Sequence, residues 1–399
     1  MKRLSAWIWG VVLVALAHGA RAEQVCEATA HGMHADGSDN VAALTKLLAE
    51  CAGQRIHLAH GTYVFSPNGF APGIQVPAGT ALAGDGSQGP SATIFQIADS
   101  GNFQALLWIR NVSNVAIGGI RFEGTSHESG CTRHLDYGHA IFIQSDSNHG
   151  TAVQSADISN NSFHNFNGQS WITINAADRS PGVGLNGRIS IKNNVFDSDA
   201  GLRGGCAATG GIGYPVAMVW LHGSDESGQG LVANVAVESN TFNAGYVKGA
   251  IAIWSGARDI TVERNVIRDA GLRLPPAPGT ELGRYAISIY NSAHERPGLH
   301  PDTVRVAGNT ITNPVSCGVY VAGGRNLEIV DNRISGQSDR YDATLPKGAI
   351  ALNHAENVSD LRDNELANNS IGISSVGSGI KMGNNRINAA PGGVTQKIR

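Results

Sequence analysis

The sequence predicts an all-β fold, a parallel β solenoid, and three observations indicate it. A short frame of apolar and polar residues around one Asn recurs eight times along the chain. Runs of alternating apolar and polar residues, the period-2 pattern of a half-buried strand, flank these frames. The 399 residues include 51 glycines and only 15% charged side chains, which is typical of a turn-rich protein with one long core. The frames are SNNSF (159–163), KNNVF (192–196), ESNTF (238–242), ERNVI (263–267), AGNTI (307–311), VDNRI (330–334), RDNEL (362–366) and GNNRI (383–387).

The frame repeats at intervals that fit the coils of a solenoid. Its shortest interval, from Asn364 to Asn385, is the length of one bare coil, and longer intervals hold insertions. Asn tolerates the left-handed backbone conformation and can bond its own backbone, so it suits a tight bend between strands. Stacked coil upon coil, these residues are expected to form an internal ladder of amide hydrogen bonds. Ile120, in the segment IGGIRF, stands where later coils carry Asn.

Residues 1–22 are expected to be a secretory signal peptide and no part of the fold. Lys2 and Arg3 precede an apolar core at 7–17, and Ala20-Arg21-Ala22 supplies a small-x-small cleavage site. No other segment has the length and apolarity of a membrane span. The chain is therefore expected to be periplasmic or secreted. Its net charge of −3 gives no indication of a nucleic-acid partner.

After the signal peptide we expect one continuous domain, with an N-terminal cap and first coils over 23–95 and β-helix repeats over 96–399. The one strong helix signal predicts a short capping helix over 39–51, with Ser38 or Asp39 as its N-cap. One face of this helix is apolar. A solenoid needs such a cover, because its first coil otherwise exposes apolar surface and unpaired strand edges.

The five cysteines are consistent with an oxidising compartment. Cys26 and Cys51 flank the predicted helix and are expected to form a disulfide. Cys131 and Cys206 both lie in insertions and are expected to form a second. Cys317 follows the inward parity of its strand, which predicts a buried thiol outside any disulfide. Four cysteines allow three connectivities, so the sequence leaves the pairing open.

Three N-terminal segments carry a resemblance to a known superfamily. They are ADGSDNVAALTKLL (35–48), RIHLAHGTYVF (55–65) and VPAGTALAGDGS (76–87). Together they resemble the cap and first coils of the pectate-lyase-like superfamily, and the region shared by family 28 glycosidase-related proteins and phage tailspikes in particular. The resemblance implies a right-handed parallel β-helix. It implies no single activity, because the superfamily contains lyases, hydrolases, epimerases and binding proteins.

The best-known active-site motifs of the superfamily are missing. Family 28 hydrolases carry Asn-Thr-Asp, Asp-Asp, Gly-His-Gly and Arg-Ile-Lys, of which this chain has only the fragments GHA (138–140) and GIK (379–381). The Asp-Pro-His-Asp signature expected of alginate-type C5 epimerases is also absent from the sequence. The candidate site must therefore be sought in the residues themselves.

One strand of each coil can be aligned by its inward apolar pair, and insertions precede several of these strands. The insertions span 123–138, 197–216, 268–284 and 335–347, so they are expected to gather along one edge of the solenoid, where sites are usually built. The alternative is that these insertions are ordinary surface loops without a role in a site. The aligned strands are AIFIQ (140–144), WITIN (171–175), MVWLH (218–222), AIAIW (250–254), AISIY (286–290), GVYVA (318–322) and AIALN (349–353).

Aromatic side chains recur at the outward positions of these strands. Adjacent coils lie ~4.8 Å apart, so His222, Trp254 and Tyr290 are expected to form one ladder across three coils. Trp220 and Tyr320 occupy the outward position two residues earlier in their strands. Aromatic rings on a flat sheet suit the stacking of sugar rings. The alternative is that the insertions bury these rings as a satellite core.

Cations recur just before the same strands, at Lys248, Arg284 and Lys347, with the first two on neighbouring coils. Like charges this close repel, so the arrangement is favourable mainly with an anion between them. An acidic polysaccharide supplies such carboxylates. Ordinary solvated loop cations are the alternative.

These patterns predict an exported lyase that cleaves a uronate-containing polysaccharide by β-elimination, with Lys248 and Arg284 as catalytic residues. Chondroitinase-B-like and alginate lyases use a Lys and an Arg on neighbouring coils, and the resemblance to them is positional only. His222 and Tyr290 are the alternative base and acid. Trp220, Trp254, Tyr320, Lys347 and His139 are expected to bind substrate.

Two other functions stay open from the sequence. One is hydrolysis, which needs two carboxylates; the insertions offer such acids, together with His139 and Tyr137. The other is a non-catalytic carbohydrate-binding solenoid, which needs no catalytic residues. No cofactor is indicated. Acids of this kind also hold Ca²⁺, but no spacing identifies a metal site. The polysaccharide and the oligomeric state are not determined by the sequence. The acids in the insertions are Asp136, Asp197, Asp199, Glu281, Asp339 and Asp342.

Overall fold

In the computed structural model the chain winds into a solenoid of parallel strands. The structure describes residues 25–66, 70–98, 102–124, 138–146, 148, 150–166, 168–199, 215–223, 230–274, 284–291, 299–338, 347–378 and 380–398. The predicted signal peptide, Cys131 and Cys206 lie outside these residues. Within the described ranges, no helix has the length and apolarity needed to cross a membrane.

The elements follow one another in short strands separated by turns and insertions. In the first coils they are β1 (Val25–Glu27), a 3₁₀ turn (Ala28–His31), β2 (Asp36–Asp39), α1 (Val41–Glu50), β3 (Arg55–Leu58), β4 (Gly61–Phe65), β5 (Phe70–Ala71), β6 (Ile74–Gln75), β7 (Ala81–Gly84), β8 (Thr93–Ile97) and β9 (Asn102–Phe103). The central coils contain β10 (Ala105–Arg110), β11 (Val115–Gly118), β12 (Ile120–Glu123), β13 (His139–Ser145), β14 (Ala156–Ser159), β15 (Ser162–His164), β16 (Ser170–Ala176), β17 (Ile189–Lys192), β18 (Val195–Asp197), β19 (Ala217–His222), β20 (Val232–Glu238) and β21 (Thr241–Asn243). The last coils contain β22 (Ile251–Ile253), β23 (Ala257–Glu263), β24 (Val266–Arg268), β25 (Tyr285–Tyr290), β26 (Asp302–Ala307), β27 (Thr310–Thr312), β28 (Cys317–Ala322), β29 (Arg325–Val330), β30 (Arg333–Ser335), β31 (Gly348–Arg362), β32 (Glu365–Ser378) and β33 (Arg386–Ile398).

These strands form three parallel faces around one core, which confirms the predicted parallel β-helix. Sheet 1 runs through β6, β10, β13, β16, β19, β22, β25, β28 and the start of β31. Sheet 2 runs through β1, β3, β7, β11, β14, β17, β20, β23, β26, β29 and the end of β31. Sheet 3 runs through β2, β4, β8, β12, β15, β18, β21, β24, β27, β30, β32 and β33. Every pairing of the described strands is parallel, and β5 pairs separately with β9.

Helix α1 covers the first coil, as expected, through its buried face of Leu44, Leu47 and Leu48. Its start differs from the prediction, because the helix begins at Val41, two residues later than expected, with Asn40 as the N-cap. The Asn40 amide instead bridges the backbone of His34, donating to its carbonyl at 2.9 Å and accepting from its N–H at 2.8 Å. Asn40 therefore fixes the loop that precedes the helix and leaves capping of the helix N–H groups to its neighbour Asp39.

Two further predictions about the cap and the cysteines are confirmed. Cys51, at the C-terminal end of α1, forms a disulfide with Cys26 in β1. This bond ties the capping helix to sheet 2. Cys317 is buried and keeps its thiol rather than entering a disulfide. It packs against Tyr285 and Tyr320 in a small cluster apart from the main core, so it faces the outside of sheet 1 and not the interior that its parity predicted.

The predicted Asn ladder runs through the solenoid between sheets 2 and 3. Each side-chain amide donates one hydrogen bond to the Oδ1 atom of the Asn on the next coil and another to a backbone carbonyl; Asn240, for example, donates to Asn265 Oδ1 at 3.0 Å and to the Ile191 carbonyl at 2.9 Å. The same Oδ1 atom also accepts the Asn240 backbone N–H at 3.0 Å. Apart from the half-buried Asn385 at its end, the ladder residues are buried, and their amides are hydrogen-bonded, as a stable interior requires. The ladder comprises Asn161, Asn194, Asn240, Asn265, Asn309, Asn332, Asn364 and Asn385.

In seven of the eight bends the left-handed residue is not the ladder Asn, as the sequence suggested, but the residue before it. Its positive φ turns the chain so that the next side chain points into the core. Arg264 adopts φ 54° at this position, although its side chain does not favour that conformation. The ladder bonds of the following Asn hold the bend in place. The residues concerned are Asn160, Asn193, Ser239, Arg264, Gly308, Asp331 and Asp363.

Beside the ladder, sheet 3 stacks identical side chains inside the core. Phe122, Phe163, Phe196 and Phe242 occupy paired positions on successive strands. Their ring centroids lie 5.0, 4.8 and 4.6 Å apart in near-parallel planes. Aromatic stacking adds to the burial of apolar area in this column. The Asn ladder and the Phe stack together fix the strand register of the coils that contain both.

We predict that Asn265→Ala destabilises the fold by about 3 kcal/mol or more. The variant removes the acceptor of one side-chain N–H of Asn240 and of the Asn240 backbone N–H, and the side-chain donor to the Val237 carbonyl, in a buried site. Chemical denaturation measures the loss. The matched control is Asn243→Ala, since Asn243 Oδ1 accepts only a 3.4 Å contact from Arg268 and its loss should cost under about 1 kcal/mol. Equal losses for the two variants would contradict a structural ladder.

Candidate functional site

The outward face of sheet 1 presents three columns of side chains, and the strand register confirms the alignment predicted from sequence. The middle column pairs Trp220 with Thr173 and Ala252, and Tyr320 with Ser288 and Ala351. The column at the strand ends includes Asn175, His222, Tyr290 and Ala322. A third column, at the strand starts, was not recognised in the sequence. It includes Ala105, His139, Ser170, Ala217, Tyr285, Cys317 and Gly348.

Four side chains of neighbouring coils form an aromatic patch: Trp220, His222, Trp254 and Tyr290. The Trp220 and His222 rings stack in parallel, with centroids 5.0 Å apart. The Trp254 ring meets the edges of both, at 4.9 Å from Trp220 and 5.7 Å from His222. The Trp254 ring is also in contact with the Tyr290 ring, with centroids 5.5 Å apart and a tilt of 50° between the planes. The predicted ladder of His222, Trp254 and Tyr290 is therefore continuous.

The members of the patch differ in exposure. Trp220 is only 8% exposed, whereas His222, Trp254 and Tyr290 are half-buried. Trp220 is covered because the middle column lies between the other two and because Trp254 leans across it. Its Nε1–H is buried without a hydrogen-bond partner in the described structure. A buried indole N–H normally has a partner, so the burial of this donor costs stability.

His222 is oriented by its neighbour on the preceding coil. The Asn175 amide donates to His222 Nδ1 and to the His222 carbonyl, both at 3.4 Å. An Nδ1 atom that accepts a hydrogen bond carries no proton, so the neutral imidazole keeps its proton on Nε2. The ring then offers a donor on the side away from Asn175.

Lys248 and Arg284, the cation pair, lie on neighbouring coils just before β22 and β25, as predicted. Lys248 is only 6% exposed, and no carboxylate of the described residues forms an ion pair with it. Burial lowers the pKa of the Lys248 ammonium to about 8, and repulsion from the Arg284 guanidinium adds to this effect. A buried cation without a counter-ion is costly. The site thus favours an incoming anion.

Arg284 also has a structural role that the sequence did not reveal. It is 8% exposed, and its Nη1 donates to the carbonyls of Gly271 and Leu274, both at 3.1 Å. Gly271 adopts φ +70°, and a Cβ there would lie 2.8 Å from the Arg284 side chain. The Arg284 stem is thus packed against the turn after β24, which fixes the position of its guanidinium.

A pair of tyrosines lies beside the cation pair. Tyr285 directly follows Arg284, and its ring centroid is 4.1 Å from that of Tyr320. Burial raises the pKa of both phenols, so both remain protonated at neutral pH. Tyr290 packs against this cluster as well as against Trp254. Tyr285 was missed in the sequence because strict alternation along the strand predicts an inward side chain at this position. In the structure the two residues after it both point inward, and this irregularity places Tyr285 on the outward face.

His139 and Lys347 are not brought next to the cation pair. His139 is 2% exposed, and its Nδ1 donates to the Ser170 carbonyl at 2.6 Å. Its strand, β13, lies three coils before β22 along sheet 1, ~14 Å at the usual strand spacing. Lys347 is half-buried, two coils beyond Arg284. Their roles in substrate binding stay predictions, as do those of Trp220 and Tyr320.

One pair of carboxylates does converge, on the third sheet. His164 Nδ1 lies 2.7 Å from Glu123 Oε2, and its Nε2 lies 3.0 Å from Asp199 Oδ2. Both contacts raise the pKa of His164, with Glu123 as the larger cause. Asp199 was predicted as a loop acid, but Glu123 and His164 were missed because each ends a strand that reads as ordinary surface. Asp136, Tyr137, Glu281, Asp339 and Asp342 lie outside the described residues.

We predict that Lys248→Met raises the free energy of unfolding at pH 7 by about 1–3 kcal/mol, because it removes a cation whose folded pKa of about 8 lies below the unfolded value of about 10.4. The folded state of the parent binds the Lys248 proton less tightly than the unfolded state does. The variant's gain in the free energy of unfolding is therefore full below pH ~8 and vanishes above pH ~10.5. Denaturation at several pH values checks this. Lys381→Met, at an exposed lysine, is the control. A variant less stable than the parent at pH 7 would contradict the burial of an uncompensated charge.

Comparison with known proteins bears on the fold. No protein-family model matches the sequence, and no curated protein matches it by sequence. The structure is similar to PfbA, a surface adhesin of Streptococcus pneumoniae, with a TM-score of 0.53 and 12% identity over 92% of this chain and 91% of that one. It is also similar to a mutant tailspike protein of E. coli bacteriophage HK620 in complex with a pentasaccharide, with a TM-score of 0.56 and 11% identity over 94% of this chain and 64% of that one. The chain is therefore a right-handed parallel β-helix protein, as the resemblance of its N-terminal segments implies.

Proposed function

We propose that the protein is an exported polysaccharide lyase that cleaves a uronate-containing glycan by β-elimination at the cation pair. The observation that carries the proposal is Lys248, a buried ammonium with a lowered pKa and no carboxylate partner in the described structure, beside a second cation. A uronate carboxylate between Lys248 and Arg284 compensates both charges. The disulfide between Cys26 and Cys51 supports export.

The chemistry of elimination matches the properties of these groups. The guanidinium of Arg284 binds the uronate carboxylate and stabilises the charge that spreads onto it as the C5 proton leaves. Lys248, whose pKa is about 8, supplies a useful fraction of neutral amine near that pH and takes the C5 proton. The electron pair forms the C4–C5 double bond, and the bond from C4 to the glycosidic oxygen breaks. That oxygen receives a proton from an acid.

Tyr285 is the proton donor that the structure favours. Its phenol stays protonated because burial raises its pKa, and it directly follows Arg284 at the start of β25. His222 and Tyr290 are the alternative base and acid, if the reaction is centred on the aromatic patch instead. Lys248 and Trp254 are six residues apart, ~20 Å along an extended strand. One sugar cannot contact both, so the patch is a flanking subsite in the main proposal.

Two observations support a saccharide as the ligand of this face. The half-buried Trp254 ring, held edge-on by Trp220 and His222, presents an apolar surface that suits a sugar ring. The pentasaccharide bound to the tailspike protein of similar fold agrees with this class of ligand.

Hydrolysis is the second candidate, and the convergence of Glu123 and Asp199 on His164 favours it. Both carboxylates are bonded to the imidazole, which lowers their availability as acid and nucleophile. A third candidate is a carbohydrate-binding protein without activity, for which the structural similarity to a surface adhesin is the support. The experiments below separate the three.

We predict that digestion of a uronate panel produces the ultraviolet absorbance of an unsaturated product on at least one substrate. On that substrate, Lys248→Met, Arg284→Lys and Tyr285→Phe should each lower kcat by about 10²-fold or more. The denaturation measurements on Lys248→Met report whether that variant keeps the fold. The matched control is Arg273→Ala, an exposed cation on the same turn, whose rate should equal that of the parent.

The other candidate reactions give different outcomes in the same assay. New reducing ends without ultraviolet absorbance, abolished by Glu123→Gln or Asp199→Asn and kept by Lys248→Met, would establish hydrolysis. Binding of a glycan without any new ends would establish a binding protein. Either result would overturn the assignment of the cation pair as an elimination site.

We predict that Trp254→Ala weakens glycan binding by about 10-fold or more, since one stacked ring contributes of the order of 1 kcal/mol or more beyond lost area. The melting temperature should change little, because Trp254 is only half-buried at the surface of the patch. Phe242→Ala, in the core stack, serves as the comparator and should cost about 3–5 kcal/mol. If Trp254→Ala costs as much as Phe242→Ala, the patch is a satellite core and not a binding surface.

A further inference from the structure

Three metal-binding side chains converge at the N-terminal cap, far from the outward face of sheet 1. His31 Nε2 lies 3.2 Å from Cys26 Sγ and 3.6 Å from Cys51 Sγ. All three atoms lie within 4.8 Å of one another. Each comes from a different element, since Cys26 is in β1, His31 ends the 3₁₀ turn and Cys51 follows α1. The fold thus gathers two sulfurs and one imidazole at the point where the helix meets the first coil.

The imidazole is oriented by a carboxylate on its other side. Glu50 Oε2 lies 2.6 Å from His31 Nδ1, so Nδ1 carries the proton that it donates to Glu50. The neutral ring then directs the lone pair of Nε2 at the two sulfur atoms. A carboxylate that holds the distal nitrogen of an imidazole is the arrangement commonly found around histidines that bind zinc, where it fixes the tautomer and strengthens the ligand.

The environment of the cluster fits a metal bound through sulfur and nitrogen. Both cysteines are buried, whereas His31 is half-buried, which leaves a path for the metal and for one water. Two thiolates and one imidazole are ligands that zinc prefers, and a site with three protein ligands holds water in its fourth position. The oxygen-binding cations Ca²⁺ and Mg²⁺ do not suit this set.

We propose that the Cys26–His31–Cys51 cluster is a redox-dependent Zn²⁺ site: a disulfide when oxidised, and a three-ligand zinc site when reduced. A dithiol reductant gives two electrons and two protons to the disulfide and itself becomes a disulfide. The two resulting thiols lose their protons when Zn²⁺ binds to their sulfurs and to His31 Nε2. In both states a covalent or coordinate link joins β1 to the end of α1, so the cap stays attached to the first coil.

The experiment uses the full chain carrying Cys131→Ser and Cys206→Ser, so that the thiols of these two cysteines do not compete for the metal. Co²⁺, a spectroscopic substitute for Zn²⁺, is titrated into the oxidised protein and into protein reduced with a phosphine. We expect the reduced protein alone to bind one Co²⁺, with a sulfur-to-metal charge-transfer band that Zn²⁺ abolishes. Zn²⁺ should also raise the melting temperature of the reduced protein and leave that of the oxidised protein unchanged.

Variants of the imidazole and its carboxylate test the ligand set. His31→Ala should lower the affinity of the reduced protein by about 100-fold, and Glu50→Gln by about 10-fold or more. His34→Ala, at an exposed histidine of the same cap, should leave it unchanged. His31→Ala retains the disulfide, so its oxidised form reports on folding. Absence of the charge-transfer band in the reduced protein, or equal affinity of the His31→Ala and parent proteins, would overturn the proposal.

Discussion

The hydrogen-bonded Asn ladder is the constraint on which the rest of the solenoid depends. A buried amide has two donors and an acceptor, and inside a protein each must find a partner. Asn265 meets this demand only because Asn240 and Asn309 present the same group one coil before and one coil after it. The coil between two ladder positions must therefore close on the same point each time. Extra residues are excluded from this corner.

Because the ladder admits no extra residues at its own corner, the insertions occur at other corners of the coil. The chain passes from sheet 2 to sheet 3 through the ladder bend, where one left-handed residue such as Arg264 makes the turn. Between sheet 3 and sheet 1, the described residues form no comparable Asn ladder that fixes the length of the connection. The strands β21 and β22 are separated by 7 residues in the sequence, and β18 and β19, on the preceding coil, by 19. The candidate site lies at a corner where the length of the connection varies from coil to coil.

The features that the sequence missed have no repeating pattern, whereas most of those that it predicted repeat; the capping helix and the Cys26–Cys51 disulfide are exceptions with signals of their own. The Asn frame and the inward apolar pairs recur from coil to coil, so the ladder, the strand register and the neighbouring positions of Lys248 and Arg284 could be predicted directly. The outward orientation of the Tyr285 side chain could not be predicted, because an irregularity at the start of the strand breaks the inward–outward alternation there. The bonds from Arg284 to Gly271 and Leu274 depend on the path of a turn that has no periodic pattern. His164 was missed because its partners, Glu123 and Asp199, come from other coils.

The corner between sheets 3 and 1 also shows how the fold separates its charges. Glu123, His164 and Asp199 lie on three successive coils, and the next two coils along the same corner carry Lys248 and Arg284. Asp199 is already bonded to His164 and to the Asn165 amide, at 3.0 and 2.7 Å, so it is not available to neutralise Lys248. The buried Lys248 ammonium forms no ion pair with a carboxylate of the described residues, and a buried charge without a partner is costly. This cost is the physical reason to propose an acidic ligand for the site.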